Sequence, residues 1–385
     1  MMKTRSKRIS AVPVAGLLLA CAVMTACARH AAPPASAASN APSAAAAAAA
    51  APAPPPATPP AAPAPPPPAE PGSVVAQLAQ EAKALDPLVR TDWVHLFLAS
   101  AADLPPIAPR TISFDADRKH YYSEQETGTL SASERAGLST RVLDEGFYYT
   151  GRYGTPLAYA RPLDILGQRG FEPAGARIVD FGYGSIGQLR ILAGLGVDVT
   201  GVEVDPVTRA LYSQAGDQGE VAGARGARGR LRVLYGSFPS DPELKEAVGG
   251  GYRLFISKNT LKRGYVHPER PVPDRQKVIL GVDDDAFVRT LFALLEPGGF
   301  VLVYNLCPAP APPDKPYIPW ADGHSPFPRE MWEAAGFQVL AFDEVDDAAA
   351  RVMGHALEWD AGDHGMDLKT DLFAWYTLVR KPPAS

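Results

Sequence analysis

Along the chain the period of the apolar positions switches repeatedly between two patterns. Short apolar runs bounded by glycine, proline or acidic residues alternate with segments in which Leu, Val or Phe recur every three or four positions. The runs read as buried strands and the spaced segments as helices. A first run, Ala176 to Val179, ends in Asp180; Gly182, Gly184 and Gly187 follow, then a helical pattern on Leu189, Leu192 and Leu195, then a second run closing at Glu203. Downstream lie LRVLYGSF (Leu231 to Phe238), YRLFIS (Tyr252 to Ser257), a helical stretch from Asp284 to Leu295, a Pro-Gly-Gly turn leading to a strand at Phe300 to Tyr304, AGFQVLAF (Ala335 to Phe342) and LFAWYTLVR (Leu372 to Arg380). Such alternation over roughly 200 residues predicts a three-layer α/β domain with a mostly parallel sheet. Ligands in such domains sit at the carboxyl ends of the strands, so the loops after Asp180, Glu203, Tyr235, Ser257 and Tyr304 should converge on one crevice.

Residues 72–157 precede this domain and are too long for a loop. Val75, Leu78, Ala82 and Leu85 are spaced as one helix face, Trp93 to Leu98 continues an apolar surface, and the segment is read as a helical N-terminal cap on a domain spanning 158–385. The cap carries a concentration of rings: Tyr121, Tyr122, Phe147, Tyr148, Tyr149 and Tyr153. From Ala31 to Pro71 the chain is almost entirely Ala, Pro and Ser, which cannot bury enough apolar surface to offset its ordering entropy, so 27–71 is expected to be a disordered tether. An extended proline-rich segment of about 40 residues reaches roughly 100 Å.

The first 26 residues have the order of a secretory signal: Lys3, Arg5, Lys7 and Arg8, then an apolar run from Ile9 to Ala26. The run is short for a membrane span. Met24-Thr25-Ala26-Cys27 resembles a bacterial lipobox, which would make Cys27 the lipidated residue of an exported lipoprotein facing the periplasm; Leu18-Leu19-Ala20-Cys21 is the alternative, with a shorter apolar core. A plain signal anchor and a cytoplasmic chain whose signal is not used are the other readings. Removal of the leader at Cys27 would leave Cys307 alone in the folded part, with no internal disulfide to form.

Glycines between a strand and a helix let backbone amides approach a ligand, and an acidic residue closing the next strand can accept bonds from ribose hydroxyls. Gly182, Gly184 and Gly187 satisfy G-x-G-x-x-G and Glu203 is the matching acid, a pattern that a nicotinamide-dependent Rossmann protein would share. Asp180, two residues before the first glycine, shifts the reading, because a carboxylate there would meet an ammonium group.

With Asp180, the segment resembles motif I of the class I S-adenosylmethionine-dependent methyltransferases, usually acidic-x-G-x-G-x-G; Ile186 stands where the third glycine is expected and Gly187 comes one place late. The likeness extends from about Ala158 to Lys381 through the later strands and the Pro-Gly-Gly turn. It implies a Rossmann-like sandwich with a seven-stranded sheet and an antiparallel last strand, S-adenosylmethionine as cofactor, and Asp180, Gly182, Gly184, Gly187, Glu203 and Ser237 as cofactor-binding residues, Ser237 at the adenine amine. It also implies that the loop SKNTLKRGYVHP after the fourth strand faces the reacting methyl group, and that cap rings cover the adenine or the sulfonium, whose positive charge suits a ring face.

Methyl transfer needs an aligned nucleophile and, for many acceptors, a base. Lys258, Asn259, His267 and Tyr304 are the candidates from the expected crevice, with Asp322 and His324 from the Pro-rich insertion; each also has a structural reading as a loop terminator, solvated charge or turn residue. Cys307 has no recognisable His and acid partners and is read as a packed or pocket-wall thiol. The net charge of -5 and the absence of an Asn/Asp-Pro-Pro-aromatic loop disfavour nucleic acid, the arginines 225, 228, 230 and 232 are read as a solvated glycine-rich loop, and no metal site is suggested. Two classes of function stay open. One is a methyltransferase acting on a small molecule or an envelope component; the other is an exported, non-catalytic methyltransferase-like binding or scaffold lipoprotein.

Overall fold

The computed structural model describes residues 72–152 and 154–384. The signal, the tether, Cys27 and Tyr153 lie outside the described residues.

Helix formation at Val74–Leu85 follows its sequence spacing: Val75, Leu78, Ala82 and Leu85 are the buried positions, and Ser73 caps the first turn through Ala76 N. A second helix, Asp92–Ala99, buries Trp93, Val94, Phe97 and Leu98. The segment is not wholly helical, contrary to the sequence reading. Strands β1 (Arg110–Phe114), β2 (Tyr121–Ser123) and β3 (Ser139–Leu143) make a small antiparallel sheet in the order β2-β1-β3.

The main sheet has eight strands: β4 (Arg177–Phe181), β5 (Asp198–Glu203), β6 (Gly219–Ala222), β7 (Arg228–Tyr235), β8 (Tyr252–Lys258), β9 (Leu295–Cys307), β10 (Gln338–Val345) and β11 (Phe373–Arg380). Their order is β10-β11-β9-β8-β4-β5-β7-β6. The five central strands are parallel, and β11 runs antiparallel between β9 and β10. Seven of these strands are the predicted ones. The eighth, β6, forms a hairpin with β7, so that Arg228, Arg230 and Arg232 sit on a strand rather than in a solvated loop. Arg232 donates to Thr200 Oγ1, the Val248 carbonyl and Tyr252 Oη.

Alternation along each strand builds the layers. Ile178, Leu254, Leu302 and Tyr304 face one core, shared with the cap helices and with the helices Ala160–Gly167 and Gly187–Gly194; Val179, Phe255, Val301 and Val303 face the other, under the helix Asp284–Leu294. The cap and the first face therefore share a single continuous core.

Two buried carboxylates of the sheet domain also grip the cap. Asp164 Oδ1 accepts from Arg90 N, Thr91 N and Thr91 Oγ1 at 2.8, 3.0 and 2.8 Å. Asp217 takes the fork of Arg110 at 2.7 and 2.8 Å and the hydroxyl of Tyr148 at 2.7 Å. Tyr148 and Tyr149 are fully buried and meet edge to face, and Tyr148 also packs edge to face on Tyr212, so these two rings of the predicted set help join cap to sheet.

Candidate functional site

The parallel strands end together at a cleft of about 600 Å³. Its floor is the turn after β4, its sides the ends of β5, β8 and β9, and its outer wall the cap, through Tyr121 and the stretch 154–159. Gly182, Gly184, Glu203, Ser237, Lys258 and Asn259 all line it.

Glycine is a steric requirement at the floor. Gly182 has φ +73°, and a Cβ there would lie 2.1 Å from Thr260 Oγ1; Gly184 has φ +63°. Gly187 serves a different purpose and lies off the cleft wall. A Cβ on it would come within 2.7 Å of the Tyr149 carbonyl and 2.8 Å of Pro156 Cγ, so this third glycine lets the cap pack on the helix that it opens.

The amides of the turn are directed at the protein itself. Gly182 N donates to the Val202 carbonyl at 2.8 Å, Gly184 N to Glu203 Oε2 at 3.2 Å, Ser185 N to the Tyr183 carbonyl at 2.6 Å and Ile186 N to Tyr212 Oη at 3.3 Å. A pyrophosphate-binding turn presents such amides to its ligand. This one has engaged them.

Asp180 is completely buried and lies behind the cleft wall. Tyr159 Oη donates to its Oδ1 at 3.0 Å and Gln188 Nε2 to its Oδ2 at 3.1 Å, so two neutral wall residues stand between this carboxyl and the cleft. Burial raises its pKa to about 7. Glu203 is on the wall. Besides Gly184 N it accepts from Val204 N at 2.8 Å, and burial, with the charge of Asp205 nearby, raises its pKa to about 7 also.

The four catalytic candidates separate. Asn259 adopts φ +64°, a region that asparagine tolerates, and its Oδ1 accepts from Leu306 N at 2.7 Å, tying the β8 end to β9. His267 stands away from the cleft, where its Nε2 pairs with Asp284 Oδ2 at 2.8 Å. Tyr304 is turned into the core, where its hydroxyl donates to Asp346 Oδ2 at 2.9 Å in company with Arg161. Asp322 and His324 pair with each other at 2.7 Å, with Arg263 on the second oxygen of Asp322, also off the wall. Lys258 remains, projecting from the end of β8 into the cleft with 9% exposure. Cys307 is buried on the cleft wall, close behind Gly323.

Sequence reasoning missed Tyr159, Gln188, Thr260 and Lys262. Gln188 follows the last glycine directly, and Tyr159 lies immediately before the helix Ala160–Gly167; nothing in their spacing marks them as partners of Asp180.

No family model matches this chain, and no curated protein matches it. Among solved structures, phosphoethanolamine N-methyltransferase 2 of Haemonchus contortus in complex with S-adenosylmethionine is similar at 13% identity over 71% of this chain and 68% of that one, TM-score 0.33. Magnesium protoporphyrin IX methyltransferase of Synechocystis PCC 6803 with bound S-adenosylhomocysteine is similar at 14% identity, over 59% of this chain and 83% of that one, TM-score 0.30. The [4+2]-cyclase SpnF is similar at 19% identity, over 58% and 81%, TM-score 0.33. Likeness at these scores carries no argument about chemistry. The chain's own strand order, with the reversed β11 inserted beside β9, makes the mostly parallel sheet with an antiparallel last strand that the sequence resemblance implies.

Proposed function

We propose that the cleft binds S-adenosylmethionine and that the protein transfers its methyl group to a small molecule or a cell-envelope component. The observation that carries this reading is the pairing of an engaged glycine turn with an acid. Gly182 and Gly184 bring bare backbone to the cleft floor, Glu203 faces the same space from the end of β5, and the turn's amides already have protein acceptors. A nucleoside without phosphates suits such a floor; a dinucleotide, whose pyrophosphate needs open amides, does not.

In this site Glu203 would accept the ribose hydroxyls, Ser237 would stand at the base, and the Tyr121 and Tyr159 rings would close the cap side. The bound cofactor supplies an electrophilic methyl group. The protein's part is to hold the acceptor in line and exclude water, which the cap and the apolar wall are built to do. Lys258 is the one candidate with a titratable group in the cleft, and it would orient the acceptor there. Export and lipidation at Cys27 remain part of the proposal.

Calorimetry on the full chain tests it. S-adenosylhomocysteine should bind with micromolar affinity and NAD should not bind; a folded sample that takes NAD and ignores S-adenosylhomocysteine would refute the assignment. Radiolabelled palmitate should be incorporated in a bacterial host and lost in Cys27→Ala.

A further inference from the structure

Two ammonium groups line one part of the cleft, neither with a carboxylate at ion-pair distance among the described residues; Lys258 feels Asp180 only as a more distant charge. Lys258 Nζ makes no hydrogen bond or ion pair among the described residues and stands over the Tyr159 ring, 5.3 Å from its centroid. Lys262 is 4% exposed, and its Nζ donates to the carbonyls of Leu306 at 2.6 Å and Trp320 at 3.3 Å, which leaves one of its three N–H groups to spare. The acids of the cleft are committed elsewhere. Asp180 is sealed by Tyr159 and Gln188, Glu203 holds backbone amides, Asp205 faces Arg152 at 3.5 Å, Asp274 faces Lys277 at 3.0 Å and Asp371 accepts from Asp367 N at 2.9 Å.

A lysine that is nine-tenths buried is rarely left unpaired, because an isolated buried charge is strongly disfavoured. Burial, with Lys262 adding its own positive charge and Asp180 offsetting part of the effect, lowers the Lys258 pKa to about 8, which still leaves the ammonium form dominant at neutral pH. The cleft is thus polarised, with acids at the glycine turn and free ammonium at the β8 end.

We propose that Lys258, assisted by Lys262, is a carboxylate-binding subsite of this cleft. Such a carboxylate has two sources, the amino-acid end of the cofactor and the methyl acceptor. The first source rests on the cofactor reading above; the second does not.

The test titrates the full chain and its Lys258→Met and Lys262→Met variants with S-adenosylhomocysteine, 5′-methylthioadenosine, benzoate and benzamide. Methylthioadenosine keeps the nucleoside and lacks the carboxylate; benzamide keeps the ring of benzoate and lacks its charge. If the subsite holds the cofactor's carboxylate, Lys258→Met binds S-adenosylhomocysteine at least tenfold more weakly and methylthioadenosine as before. If it holds the acceptor's, S-adenosylhomocysteine is unaffected, while benzoate, which binds the parent at least tenfold better than benzamide, loses that preference. Lys258→Arg should restore part of the lost affinity. The proposal is overturned if the carboxylate ligands bind Lys258→Met as they bind the parent, or if the parent binds none of them. Failure of both nucleosides with retained benzoate preference would remove the cofactor reading alone. Replacing a buried cation by methionine should leave the melting temperature equal or higher, and Lys258→Gln serves if the methionine variant does not fold.

Discussion

Tyr159 donates its hydroxyl to the fully buried Asp180 at 3.0 Å, and through this bond the cap side of the cleft is joined to the first strand of the sheet. The consequence is a measurable pH dependence. The Asp180 carboxyl has an ordinary value of 3.8 and is raised to about 7 by burial; Glu203 goes from 4.5 to about 7 for the same reason. Between those limits the folded chain holds protons that the unfolded chain has released, so stability falls as pH rises from about 4 to about 7 and levels off on either side. Asp180→Asn removes one of the two contributions. Thermal unfolding at pH 5 and 7.5 should therefore show a smaller difference for the variant than for the parent, and equal differences would contradict the burial argument.

Gly187→Ala should weaken the joint between cap and sheet domain rather than the cofactor site. Its new methyl group would press on the Tyr149 carbonyl and Pro156. Overpacking of this kind costs about 1–3 kcal/mol. The urea midpoint should drop, and amide exchange should quicken first in 145–160; unchanged stability would mean that the close approach relaxes without cost.

Tyr304→Phe and His267→Ala should spare ligand binding for different reasons. The first removes a buried donor from Asp346, still held by Arg161, and should cost about 1–2 kcal/mol of stability. The second removes an exposed pair with Asp284 and should change stability by less than about 1 kcal/mol. A tenfold loss of S-adenosylhomocysteine affinity in either variant would return that residue to the site.

Glu203→Gln retains the size of the side chain but leaves one acceptor oxygen where the carboxylate offers two to the backbone N–H groups of Gly184, Val204 and Asp205. Affinity for S-adenosylhomocysteine should fall at least tenfold, about 1.4 kcal/mol, while the melting temperature moves by only a few degrees. Retained affinity would show that the ribose is held elsewhere.

The main sheet was legible because strands buried on both faces leave continuous apolar runs, as at Leu254 to Ile256 and Phe300 to Tyr304. β3 left no such trace, since four of its five residues are exposed, and β2 has only three residues. At the site, Gly182 and Glu203 could be read because turn geometry and strand ends dictate those residue types. Tyr304 shows the limit of that method. It closes a strand segment at the right end of the sheet, but its side chain points to the cap-side core, and sequence position alone does not fix which face an aromatic residue takes. Tyr159, Gln188 and Lys262 were hidden for the opposite reason. Their roles arise from burial and from partners distant in sequence, such as the Leu306 carbonyl that fixes Lys262.

Asp164 and Asp217 decide how the cleft can work. Each is 1% exposed and each takes several donors from the cap, so lifting the cap would leave Asp164 with Gln168 and Arg161 and leave Asp217 without the Arg110 guanidinium. Breaking the buried Arg110–Asp217 pair alone costs about 3–5 kcal/mol. The segment before the sheet domain is thus a fixed wall rather than a door, and molecules must come and go past the opposite rim, along the loops that follow β8 and β9.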